Sequence, residues 1–173
     1  MLRSFFRLAS RSLLVPLLLF SFALSASPLN QLQKIGEGEM TYLFWTLYQA
    51  ELFAQSVPYQ SELAQDKALR IRYYRAIDKG DLIQATADQW QHLGYSDTNI
   101  KDWLLPLSQI WPDVEAGDEL MLFVTQDGQS HFYFGEQPIG VIPDPRFGEA
   151  FLSIWLSKNT SEPRLRKQLL GGE

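Results

Sequence analysis

Arg70, Arg72 and Tyr74 recur at every second residue of the stretch "LRIRYYRAI". In an extended strand that spacing sends all three side chains to one face, with Leu69, Ile71 and Tyr73 on the other. Two guanidiniums beside a phenol can hold an anion, and a bidentate guanidinium–carboxylate contact is the usual anchor for an acid head group. Upstream, "YLFWTLYQAELFA" crowds Tyr42, Leu43, Phe44, Trp45, Leu47 and Tyr48 into seven positions. Read as one strand, it is apolar on both faces. It is therefore either core or, in part, the wall of a pocket for an apolar molecule. Together the two stretches nominate Tyr48, Arg72, Tyr74 and Trp45 as ligand-binding residues. The plainer reading of the arginines is a solvent face carrying surface ion pairs.

Other chemistries lack players. The two histidines, His92 and His131, are far apart and have no metal-ligand spacing. There is no cysteine, no Gly-x-Ser-x-Gly and no phosphate-loop pattern. "PDVEAGDE" clusters Asp113, Glu115, Asp118 and Glu119 without the spacing of a calcium loop, and reads as a solvated turn. No catalytic residue, metal or cofactor is expected.

These residues need elements to position them. "SPLNQLQKIGEGE" reads as a polar lead-in and residues 40–54 as an aromatic-rich strand. "VPYQSELAQDKA" reads as a loop. In "GDLIQATADQWQHLG", Leu82, Thr86, Trp90 and Leu93 form one helical stripe, with Gly94 as a stop. In "SDTNIKDWLLPLSQIW", Ser96 or Asp97 caps a second helix, Ile100, Trp103, Leu104 and Leu107 share its face, and Pro106 predicts a kink or restart. "DELMLFVTQDGQSHFYF" is a hairpin about Asp127-Gly128, expected as a tight type I′ turn. A short strand, "PIGVI", follows. "DPRFGEAFLSIWL" starts a helix with Asp144 as cap and Pro145 first, and "SEPRLRKQLL" a shorter one between Ser161 and Gly171. Strands, two helices, strands and helices in that order predict an α+β fold, a largely antiparallel sheet with a helical layer on one face.

The chain has 173 residues. Arg3, Arg7 and Arg11 precede the uncharged run "SLLVPLLLFSFAL" and the small residues "SAS", the layout of a signal peptide ending near residue 26. The run is shorter than the roughly 18–20 residues of a membrane-spanning helix. Residues 27–173 are expected to form a single domain. Removing the three leader arginines leaves 12 basic against 20 acidic side chains, a net charge of −8. That balance argues against nucleic acid, whose binding needs cationic surface, and against anionic lipid headgroups. An exported chain without cysteine must hold together by packing alone, which fits a bacterial periplasm. No stable membrane insertion is expected after leader removal, and the oligomeric state is left open.

Four stretches carry a resemblance: "IGEGEMTYLFWTLYQAELFA", "YYRAIDKGDL", "WPDVEAGDEL" and "GVIPDPRFGEAFLSIWLSKNTSEPRLRKQLLG". In their order and spacing the chain resembles exported bacterial chalcone isomerase-like proteins. The resemblance implies a large antiparallel sheet backed by helices, with a ligand cleft between them. In the wider superfamily, plant chalcone isomerases close a chalcone to a flavanone, and sister plastid proteins without that activity bind fatty acids. Tyr48 falls where the fatty-acid binders carry tyrosine and the enzymes threonine. Leu82 stands where the enzymes carry their catalytic tyrosine. No arginine lies between Ala26 and Arg70, so the anion-holding arginine is unmatched, and Lys34 is the nearest cation. The implied function is a non-catalytic periplasmic binder of a small apolar carboxylate such as a fatty acid. The alternatives are an isomerase or lyase using a remodelled cleft, and an interaction module whose cleft its own side chains fill.

Overall fold

The computed structural model describes residues 28–172; the expected signal peptide lies outside them. Six strands form one sheet: β1 (Gln33–Tyr42), β2 (Trp45–Ala54), β3 (Lys67–Tyr73), β4 (Glu119–Val124), β5 (Ser130–Phe134) and β6 (Gln137–Ile142). Their spatial order follows the chain, and every neighbouring pair is antiparallel. Helices α1 (Lys79–His92) and α2 (Asp97–Ile110) join β3 to β4, and α3 (Phe147–Leu156) and α4 (Pro163–Leu169) follow β6. This is the α+β layer arrangement expected from the sequence.

Strand alternation decides which face the helices cover. Ala50, Leu52, Leu69, Ile71, Leu120, Leu122 and Phe132 share one core with Trp90, Trp103, Leu107, Phe147 and Phe151 of the helices. Burial of each large side chain contributes about 1.5–3 kcal/mol. The rings also meet edge to face: Trp90 lies 6.0 Å from Phe147, and Phe132 lies 5.7 Å from Phe151. On the far face a smaller cluster of Phe53, Ala68 and Met121 is covered by Leu29 and Leu32, around the short 3-10 turn Pro28–Gln31.

Three local expectations change. The single strand over 40–54 is a hairpin, and the polar lead-in is most of β1. Leu43 and Phe44 form the turn, with Leu43 at φ 55°. Tyr42, Leu43, Phe44 and Trp45 are therefore 62, 74, 95 and 56 % exposed, not covered on both sides. Second, α2 continues through Pro106 without a restart. The carbonyl that loses its donor belongs to Asp102, which is exposed, so water can satisfy it. Third, the β4–β5 turn has a positive φ at Gly128 alone (89°), with Gly128 N–H bonded to Thr125 O and Thr125 N–H to Gln129 O. That is a three-residue loop closed by a glycine bulge, not a type I′ turn.

The later helices start slightly beyond their expected caps. Asp144 accepts from Arg146 N–H at 3.0 Å, Arg146 Nη2 at 2.8 Å and Trp103 Nε1 at 3.0 Å, a turn that delays α3 to Phe147. Ser161 Oγ donates to Gln89 Oε1 at 2.8 Å, and Pro163 opens α4. The α4 helix lies on β1, whose glycines admit it. A Cβ on Gly36 would stand 2.2 Å from Gln168 O, and one on Gly38 2.7 Å from Leu165 Cδ1.

Candidate ligand cavity

Between the sheet and its helices lies a cavity of about 280 Å³. The strands contribute Tyr48, Leu69, Ile71 and Tyr73; α1 contributes Leu82 and Thr86; α3 contributes Phe151, Ile154 and Trp155. Asp81, Ala85 and Ser161 line it and are also exposed, so it opens to solvent between α1 and the segment leading into α4. The volume is roughly twice the cavity of about 150 Å³ that stays dry and takes up benzene. Water would gain few hydrogen bonds from such walls, so an apolar guest is favoured.

Two phenols and an indole are among the polar groups of the wall. Trp155 Nε1 donates to Tyr48 Oη at 2.9 Å. That leaves the Tyr48 hydroxyl proton free for a guest. Burial pushes the Tyr48 phenol up to about 12, Glu162's charge adds to it, and the Trp155 bond works against the rise. Tyr73 meets the Tyr48 ring edge-on at 6.0 Å and is 4 % exposed. Its hydroxyl has no hydrogen-bonding partner among the described residues, and burial raises it well above the ordinary phenol range. Thr86 Oγ1 donates to Leu82 O at 2.8 Å and is thereby satisfied within α1. Both phenols therefore remain neutral donors near neutral pH.

The four nominated residues separate. Tyr48 lines the cavity. Arg72 lies across the sheet from it: β2–β3 pairing puts Tyr73, not its neighbour Arg72, on the helix side. Arg72 Nε donates to Glu119 Oε1 at 2.7 Å on the solvent face, as Arg70 Nε does to Glu51 Oε2. Tyr74 is exposed on that side, its hydroxyl 3.4 Å from Glu39 Oε1. Trp45 sits at the hairpin tip beneath the Arg75 guanidinium, 4.0 Å from the ring centre. The guanidinium anchor thus does not reach the cavity, because alternation turns it outward. The same alternation contains the phenol that was missed: Tyr73 follows Leu69 and Ile71 inward. Nothing local in sequence pairs Trp155 with Tyr48.

Leu82 also lines the cavity. The acidic run has structural work: Asp113 Oδ1 accepts Lys79 N–H at 2.7 Å at the start of α1, and Asp118 Oδ2 accepts Glu115 N–H at 2.7 Å. His92 Nε2 bonds Asn159 O at 3.0 Å and is no part of the cavity.

A family model described as "Chalcone isomerase-like" matches residues 29–171. The chain belongs to this family. Among relatives, an uncharacterized protein of Haemophilus influenzae is 26 % identical over 161 residues, which cover 93 % of this chain and 77 % of that one. Among solved structures, the Arabidopsis thaliana fatty-acid binding protein AtFAP1 is similar, with a TM-score of 0.65 at 10 % identity, over 84 % of this chain and 90 % of that one. At that identity the likeness is one of fold. This chalcone isomerase-like protein therefore has the sheet-and-helix frame its sequence resembles. Among its described residues no helix is long and apolar enough to cross a membrane.

Proposed function

We propose that the protein is a non-catalytic binder of a small apolar molecule of the fatty-acid class, held between the sheet and α1 and α3. The observation that carries this reading is the 280 Å³ cavity, apolar over most of its wall and furnished with two phenol donors. The fatty-acid binding named for AtFAP1 supports the ligand class. The basic, apolar and small residues at the start of the chain support export to the periplasm, where such a binder would carry or buffer its ligand.

The test is native mass spectrometry of protein expressed with its leader and released from the periplasm. A co-purified mass of acyl-chain size is expected. Ala85→Trp, at the exposed rim of the cavity, should abolish it while leaving the circular dichroism unchanged. A clean protein mass, together with no uptake of any added medium-chain acyl compound, would remove the reading.

A further inference from the structure

The head-group chemistry of the cavity is written in its titratable lining. β2 brings Tyr48, β3 brings Tyr73, α1 brings Asp81, and the segment before α4 brings Glu162. The lining from β1, β4, β5, α3 and from Trp111, just past α2, is uncharged. Among the described residues no Lys, Arg or His lines the cavity; the guanidiniums of Arg72 and Arg75 are engaged by Glu119 and Trp45. The charge a guest meets is therefore negative, and its donors are neutral.

We infer that this cavity takes an apolar chain whose head is an uncharged hydrogen-bond acceptor, an alcohol or a protonated carboxylic acid, and disfavours the carboxylate anion. The inference rests on the binding role proposed above and specifies its ligand. Two O–H donors await a guest oxygen: Tyr48, whose oxygen already accepts from Trp155, and Tyr73, which is unpartnered. A neutral oxygen accepts from such a donor without bringing charge out of water. A carboxylate would lose its hydration, find no counter-ion, and face Glu162 and Asp81. The field of Glu162 already reaches Tyr48, where it helps burial disfavour a second negative charge.

Decanol and decanoate, matched in chain, test this on the delipidated mature protein, with tryptophan fluorescence from Trp111 and Trp155 in the cavity wall as the readout. Decanol affinity should stay flat between about pH 8 and about pH 5. Decanoate affinity should follow the protonated fraction of a carboxyl group of pKa about 4–5, rising several hundredfold over that interval. Glu162→Gln should narrow the decanol–decanoate gap at the higher pH. Tyr73→Phe should weaken decanol about tenfold; unchanged decanol affinity would overturn the donor assignment. Decanoate binding as tightly as decanol at about pH 8 would overturn the inference and leave the binding role standing. Failure of both ligands at both pH values would instead remove the binding role itself.

Discussion

Trp155 Nε1 donates to Tyr48 Oη at 2.9 Å, joining α3 to β2 across the wall of the cavity. The two residues are 107 positions apart. The bond closes one side of the sheet–helix layer where the layer is least filled. Tyr48→Phe removes the acceptor and leaves a buried indole N–H with no partner. An orphaned buried donor costs about 1–3 kcal/mol. The variant should unfold at lower urea concentration with an unchanged denaturant slope. An unshifted midpoint would mean that the indole finds water in the cavity.

Both cavity phenols also set a pH limit. Burial raises Tyr48 to about 12 and raises Tyr73 as well, above the value of about 10 that each has when unfolded. Above about pH 10 the unfolded chain releases these protons first, so stability falls as pH rises. The contribution is complete below the unfolded value and is lost as pH climbs through the folded one. Urea midpoints measured from neutral to alkaline pH should decline, and Tyr48→Phe should flatten part of that decline. Equal slopes in the two proteins would show that Tyr48 titrates normally.

Glycines in β1 separate close approach from mere flexibility. A Cβ at Gly36 would press on the backbone of Gln168 and Leu169, neither of which is a yielding side-chain tip. Gly36→Ala should cost about 1–3 kcal/mol, the range for overpacking, and raise hydrogen exchange across α4. Gly80, in α1, has nothing within 4 Å of its missing Cβ. Gly80→Ala should instead stabilise by about 0.5–1 kcal/mol. Similar midpoints for the two variants would refute the close packing of α4 on β1.

The layer architecture was readable because periodicity survives tertiary context here. Leu69, Ile71 and Tyr73 alternate as written, and the Trp90 and Trp103 stripes face the sheet. The β1–β2 turn was not readable. Leu43 and Phe44 carry none of the Gly, Asn or Asp chemistry that marks a two-residue connection, so the aromatic run looked continuous. The site was half readable. Tyr48 stands out by its place in the run, but choosing the arginines as anchor required the sheet face to be assigned without knowing where the helices lie. Once α1 and α3 cover the Ile71 face, Arg72 must point to water and Tyr73 inward. The partnership of Tyr48 with Trp155 depends on the closure of the whole domain and has no local signature.

Lys67 gives the last prediction, because a charged residue rarely sits where it does. Its side chain is 3 % exposed at the start of β3, and its Nζ pairs with Glu149 Oε1 in the first turn of α3. Glu149 is 56 % exposed, so only one member of the pair has lost its water. The two ways of breaking it should differ in sign. Glu149→Gln leaves a buried ammonium without its counter-charge and should cost about 1.5–3 kcal/mol, the scale of a hydrogen bond to a charged group. Lys67→Met removes the charge itself, keeps the volume, and should be neutral or stabilising, as replacement of buried ion pairs by apolar groups often is. In the double variant the glutamine should add almost nothing to Lys67→Met. Thermal unfolding of the four proteins gives the coupling directly, and a Glu149→Gln variant as stable as the parent would mean that the Lys67 ammonium reaches water after all.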